Sequence, residues 1–146
     1  MPKVLFVCHG NICRSPMAEY VLRDMAKKRG RDDIVCASCA TSTEEIGNPV
    51  YPPAKRLLAQ KGIECSGHAA RQATKHDADE FDYIFCMDEQ NVRNLARIFG
   101  ADNMGKVQKL MDLVGGGNVA DPWYTGDFNA TWNDVTRACE ELLNRI

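Results

Sequence analysis

Cys8 and Arg14 are separated by five residues in the stretch Cys8-His9-Gly10-Asn11-Ile12-Cys13-Arg14-Ser15. These types suit one chemistry. The thiolate is the reactive form of cysteine, and a planar guanidinium matches two oxygens of a phosphate better than an ammonium can. Val4-Leu5-Phe6-Val7 precedes the stretch and Pro16-Met17-Ala18-Glu19 follows it, so it reads as a tight strand-to-helix turn. Ser15 is expected at the N-cap and Pro16 at the first helical position, where its missing N–H costs nothing. Such a turn aims unpaired backbone N–H groups and the positive end of the helix dipole into one small space. His9, Gly10, Asn11, Ile12, Cys13 and Ser15 are thus the expected lining of an oxyanion cradle, which Cys8 enters from the strand end and Arg14 closes. Nucleophile, cradle and clamp together point to phosphoryl transfer through a phosphocysteine.

A cysteine and an arginine at this spacing also arise by chance, and a cysteine at a strand end is commonly buried packing. The setting favours function. The pair lies between a strand and a capped helix, and Gly10 and Asn11 tolerate the left-handed angles that a curled loop needs.

The run from Val7 to Glu19 resembles the signature of the low-molecular-weight protein tyrosine phosphatases. Asp121-Pro122-Trp123-Tyr124 is similar to the family's other marker, an Asp-Pro followed by aromatics near the C-terminus. The likeness runs nearly the whole chain. It implies hydrolysis of phosphotyrosine in proteins, with Asp121 as the acid that protonates the phenolate and later deprotonates water. An ordinary turn is the other use of Asp-Pro, but this one follows the loose Gly115-Gly116-Gly117 and leads into aromatics. Trp123 and Tyr124 would flank a phenyl ring, with core packing as the competing use. Ser15 can hydrogen-bond the sulfur and make it a better leaving group. The loop supplies the positive field, so no metal and no other cofactor is expected.

The resemblance also implies supporting parts. Ser38 would bond the loop asparagine, Asn11, and His68 in His68-Ala69-Ala70-Arg71-Gln72 would buttress the loop through it. Gly47 to Pro53, with Tyr51, would form one wall of the cleft. Many members place an aromatic two residues before Ile46-Gly47, where this chain has Glu44. That acid either favours basic residues flanking the phosphotyrosine or is simply exposed. Ile12 stands where a phosphoarginine-directed branch carries threonine, which favours phosphotyrosine. Cys13 shares the loop with the nucleophile. It is either the partner that captures an oxidised Cys8 as a disulfide, as the resemblance supports, or a small packing residue.

Two other functions fit parts of the pattern. A thioredoxin-coupled arsenate reductase shares this fold and loop but needs a relay of cysteines after the third strand; Cys86 lies inside that strand and the next helix has none. A non-catalytic phosphate-binding module could dispense with nucleophile and acid, yet both are present.

The elements that must position these residues follow in order. The chain's 146 residues suit one domain, 1–146, with one substantial core. A net charge of −2 with mixed signs gives no argument for nucleic acid or an anionic membrane. The first apolar run is too short for a signal peptide and no stretch approaches a membrane span, so a cytoplasmic protein is expected. Its seven cysteines are then mostly reduced thiols. Cys36 and Cys39 form a C-x-x-C, which reads as a redox pair or half a metal site, but no second pair with ligand spacing follows and residues three apart on a strand face opposite ways, which argues against a metal.

Strands are expected at Lys3–Val7, Ile34–Ala37, Tyr83–Met87 and Val107–Met111. Helices are expected from Pro16 (burying Met17, Val21, Leu22 and Met25), around Leu57-Leu58, after a cap at Asp88, and over Trp132–Ile146. Ser38 to Thr43 reads as a hydroxyl-rich loop. Alternating strands and helices predict a doubly wound, four-stranded parallel sheet of the flavodoxin-like kind, with the phosphate loop after strand 1 and the site at the strands' carboxyl ends.

Overall fold

The computed structural model describes residues 1–146. Four strands, β1 (Lys3–Cys8), β2 (Val35–Ala40), β3 (Tyr83–Cys86) and β4 (Val107–Lys109), form one parallel sheet in the order β2-β1-β3-β4. This is the expected flavodoxin-like doubly wound arrangement. The helices are α1 (Arg14–Lys28), α2 (Pro52–Gln60), α3 (Asp77–Glu80), α4 (Glu89–Phe99), α5 (Pro122–Thr125) and α6 (Phe128–Arg145).

β1 is central because Val4, Leu5, Phe6 and Val7 are all fully buried, two on each face of the sheet. On one face Val4 and Phe6 meet Met17, Val21 and Leu22 of α1 together with Val135, Ala138 and Leu142 of α6. On the other, Leu5 and Val7 meet Leu95 and Phe99 of α4. The chain leaves β1 for β2 on one side and returns to β3 on the other. That switch point beside β1 opens a crevice at the strands' carboxyl ends, and Cys8 ends β1 there. Cys36 and Cys39 do pack into opposite faces.

The structure departs from the expected boundaries by more than one residue at four places. α1 begins at Arg14, so Ser15 is not the N-cap; Cys13 holds that position without a side-chain bond. Ser15 is instead fully buried, and its hydroxyl bonds the loop rather than the helix end. β2 runs on through Ser38 and Cys39 to Ala40 instead of ending at Ala37. A strand can carry Ser38 inward here because Glu19 and Asn11 satisfy its hydroxyl. β4 stops at Lys109, and Leu110–Val114 coils into a 3₁₀ turn. That turn sends Leu110, Met111 and Leu113 into one core, which the alternating faces of a strand could not do. α6 starts at Phe128, four residues before the expected Trp132, because Asp127 caps it by accepting from the Ala130 N–H at 3.0 Å.

No helix of the structure is long and apolar enough to cross a membrane.

Candidate active site

The loop from Cys8 to Arg14 curls around its own sulfur. Cys8 Sγ accepts from the Asn11 N–H at 3.2 Å and lies 3.0 Å from Ser15 Oγ. Asn11 makes the curl possible with φ 59°, the one non-glycine residue of the chain in the left-handed region. Such a conformation is strained for a side-chain-bearing residue and persists only where its surroundings hold it. They do. Both Asn11 amide hydrogens are used, on Ser15 Oγ at 2.8 Å and Ser38 Oγ at 2.9 Å. Its Oδ1 accepts from the Arg71 N–H at 3.2 Å, and its backbone carbonyl lies 2.7 Å from His68 Nε2. A carbonyl only accepts, so Nε2 carries the His68 proton. Ser38 passes its own hydrogen to Glu19 Oε1 at 2.6 Å, and Arg23 donates to Glu19 Oε2 at 2.6 Å. A directed chain of bonds therefore leads from the loop to the surface of α1.

Arg14 heads α1 and is only 4 % exposed. Its Nη1 donates to Asp88 Oδ2 at 2.8 Å, and its Nη2 lies 3.3 Å from Asp121 Oδ2. Burial works against the guanidinium charge, but Cys8, Asp88 and Asp121 more than offset it and hold its pKa above the usual arginine range. Burial likewise opposes the Asp88 carboxylate, while the bonds from Arg14 and from the Asn91 N–H hold its pKa below the usual range. Asp88 also caps α4 reciprocally with Asn91. The expected cap is thus present, with a second duty that the cap pattern concealed.

Asp121 N-caps the short α5, accepting from the Trp123 N–H at 3.1 Å through Oδ1. Its other oxygen faces Arg14. Trp123 and Tyr124 are 57 % and 85 % exposed, so neither is spent on the core. The Trp123 ring leans on Tyr51 with centroids 5.2 Å apart. These side chains enclose a pocket of about 260 Å³ lined by Cys8, the cradle residues His9, Gly10, Ile12 and Cys13, the guanidinium of Arg14, and Asp121, Trp123 and Tyr124, with Glu44 and Glu45 at its edge.

The chain brings the sequence-predicted residues to one place: the nucleophile, clamp and acid candidates line one pocket, and Ser38 and His68 both touch Asn11. His9 points outward to Glu44, with Nε2 and Oε2 3.0 Å apart. Cys13 is buried, and burial, with Cys8 and Asp121 nearby, pushes its thiol pKa up to about 12. Reading the sequence missed Asp88 as the partner of Arg14, Glu19 behind Ser38, and Glu45 at the rim. Asp88 was findable, since it follows β3 at the carboxyl edge of the sheet, where a doubly wound fold places its ligands. No group of three or more His, Cys, Asp or Glu side chains is arranged to hold a metal ion.

Residues 3–146 match the family model described as low molecular weight phosphotyrosine protein phosphatase. The chain is 41 % identical over 150 residues to the low molecular weight protein-tyrosine-phosphatase YfkJ of Bacillus subtilis, an alignment covering 100 % of this chain and 96 % of that protein. The crystal structure of YfkJ superposes with a TM-score of 0.95 over 100 % of this chain and 94 % of the other. The human low molecular weight phosphotyrosine protein phosphatase is 40 % identical over 152 residues, covering 97 % of this chain and 94 % of that protein. A Drosophila arginine phosphatase also superposes, with a TM-score of 0.88 and 32 % identity over 98 % of this chain and 96 % of the other. With a family match over all but the first two residues and full-length relatives on the same fold, this chain belongs to the low molecular weight phosphotyrosine protein phosphatases.

Proposed function

We propose that the chain hydrolyses phosphotyrosine and other aryl phosphate monoesters through a phosphocysteine on Cys8. One observation carries this reading: a sulfur bonded by the Asn11 N–H and beside the Ser15 hydroxyl shares its pocket with a buried arginine and an aspartate. Cys8 Sγ attacks phosphorus, the bond from phosphorus to the aryl oxygen breaks, and Asp121 gives that oxygen its proton. Arg14 and the loop N–H groups hold the equatorial oxygens as negative charge spreads over them. A water then gives its proton to Asp121 and attacks phosphorus, and the sulfur leaves with a hydrogen bond from Ser15. The Arg14–Asp121 contact of 3.3 Å gives way when a phosphoryl group takes the guanidinium, which leaves the carboxyl facing the leaving oxygen.

The pocket favours an aromatic leaving group, because exposed Trp123 and Tyr124 stand at its wall. Ile12 lines the pocket where the phosphoarginine-directed branch that this loop resembles carries threonine, and this supports phosphotyrosine over phosphoarginine. Against the arsenate reductase reading, Cys86 is fully buried in β3, burial pushes its thiol pKa up, and α4 contains no cysteine.

The test is Asp121→Asn assayed on a series of aryl phosphates. The kcat is expected to fall by roughly 10²–10⁴, the usual span for general acid catalysis. The loss shrinks for phenols acidic enough to leave without a proton. Equal losses across phenols of very different pKa would show that Asp121 is not the acid.

We extend the reading to redox protection by Cys13. A peroxide-oxidised Cys8 sulfenic acid condenses with the Cys13 thiol, losing water, to give a disulfide that a thiol reductant reopens. Brief peroxide treatment followed by reductant is expected to restore most wild-type activity. Cys13→Ser stays inactive, with Cys8 carrying two or more oxygens by mass spectrometry. Equal recovery in both proteins would leave Cys13 as a packing residue.

A further inference from the structure

The rim of the phosphate pocket is acidic although the site must take up an anion. Glu44 and Glu45 both line it, and the positive charge of Arg14 at its floor is already faced by Asp88 and Asp121. The two glutamates are held in place. Glu44 Oε2 lies 3.0 Å from His9 Nε2, and Glu45 Oε2 accepts from Asn48 Nδ2 at 2.6 Å. The segment that carries them is tied to the loop, because the His9 carbonyl accepts from both the N–H and the hydroxyl of Ser42, at 3.1 and 2.9 Å. Its far end is pinned where the Gly47 N–H donates to the Ala70 carbonyl at 2.8 Å. Glu45 Cγ would lie 3.4 Å from a Cβ built on Gly10, so this side chain rests directly on the cradle.

A phosphate dianion therefore approaches Arg14 through a pocket that two carboxylates also line. An acidic residue beside the phosphotyrosine adds to that repulsion, and a basic one reverses it. We infer that Glu44 and Glu45, with His9 steadying Glu44, form a charge-selective rim that favours phosphotyrosine peptides carrying lysine or arginine next to the phosphotyrosine. This rests on the phosphatase reading above and adds its substrate class. The pair-forming oxygens are exposed, with Glu44 68 % and His9 50 % accessible in their side chains, so each carboxylate contributes only the modest, salt-screened preference of a surface pair. That is about 1.5- to 5-fold for each, or roughly tenfold between lysine-flanked and glutamate-flanked substrates at low salt.

The experiment measures kcat/KM on three phosphotyrosine peptides that differ only in having lysine, alanine or glutamate at both flanking positions. In the wild type the lysine-to-glutamate ratio is expected near tenfold at about 0.05 M salt and to shrink severalfold at about 0.5 M, where the Debye length is only about 4 Å. In the Glu44→Gln/Glu45→Gln double variant the ratio collapses towards one, and in Glu44→Lys/Glu45→Lys it inverts. A ratio cancels any general loss of activity, and the salt series needs no variant at all. A flat peptide series in a wild type that hydrolyses p-nitrophenyl phosphate would overturn the rim and leave the phosphatase reading intact. So would a preference that survives the double substitution. Failure to hydrolyse p-nitrophenyl phosphate or any peptide would overturn both.

Discussion

Cys8→Ser is expected to abolish turnover of aryl phosphates while oxyanion binding survives. The two halves of that result have separate physical origins. The side chain is 4 % exposed at the end of a fully buried strand, and oxygen in place of sulfur makes no large cavity. Most of what holds the cradle is independent of the sulfur: Asn11 is held by Ser15, Ser38, the Arg71 N–H and His68, and Arg14 by Asp88. Inorganic phosphate should therefore bind the variant within about tenfold of the wild type by calorimetry, a change of less than about 1.4 kcal/mol. Chemistry fails for a different reason. A serine hydroxyl needs an adjacent base to become a nucleophile. The nearest bonded partner, Ser15, is another hydroxyl. The drop in kcat is expected on the order of 10⁴-fold or more, in line with the loss of a nucleophile elsewhere. Turnover persisting in a preparation free of other phosphatases would sink the covalent mechanism, and loss of phosphate binding would show that the sulfur also builds the cradle.

What could be read from the chain was whatever short-range rules govern. A continuous apolar run gave β1, and of the two residues expected to tolerate left-handed angles in a curled loop Asn11 takes one, at φ 59°, while Gly10 does not. Local rules misjudged positions where a distant partner decides. Ser38 reads as loop because hydroxyl residues favour turns, yet it lies in β2, where Glu19 from α1 accepts its hydrogen. Ser15 reads as an N-cap on the same grounds, yet Asn11 and Cys8 claim its hydroxyl. Asp88 was legible as a cap because capping is local, but not as the partner of Arg14, 74 positions away. Glu45 gave no signal in one dimension, since what matters about it is its place over Gly10.

Arg14→Lys is expected to lower kcat by roughly 10³-fold or more, within the span set by arginines that clamp a transferring phosphoryl group. Charge alone is not what is lost, because an ammonium keeps it. The guanidinium uses Nη1 on Asp88 at 2.8 Å and turns Nη2 to the pocket side, 3.3 Å from Asp121. One rigid plane thus fixes its own orientation against Asp88 while turning a second nitrogen to the pocket. A single Nζ cannot do both. If it pairs with Asp88 it withdraws from the phosphoryl oxygens; if it reaches the oxygens it leaves the Asp88 carboxylate without its main cation. Either arrangement loses more in the transition state than in the ground state, because the equatorial oxygens gain their fixed geometry and spread charge only there. The loss should consequently fall on kcat, with a smaller change in the affinity for inorganic phosphate. The fold should hold, since the lysine still carries a cation into a site with two carboxylates, and the melting transition reads this directly. Near-normal kcat in Arg14→Lys would mean that a point charge suffices and that Arg14 is no clamp. A collapse of folding with no active protein would mean that its pairing with Asp88 serves the architecture first.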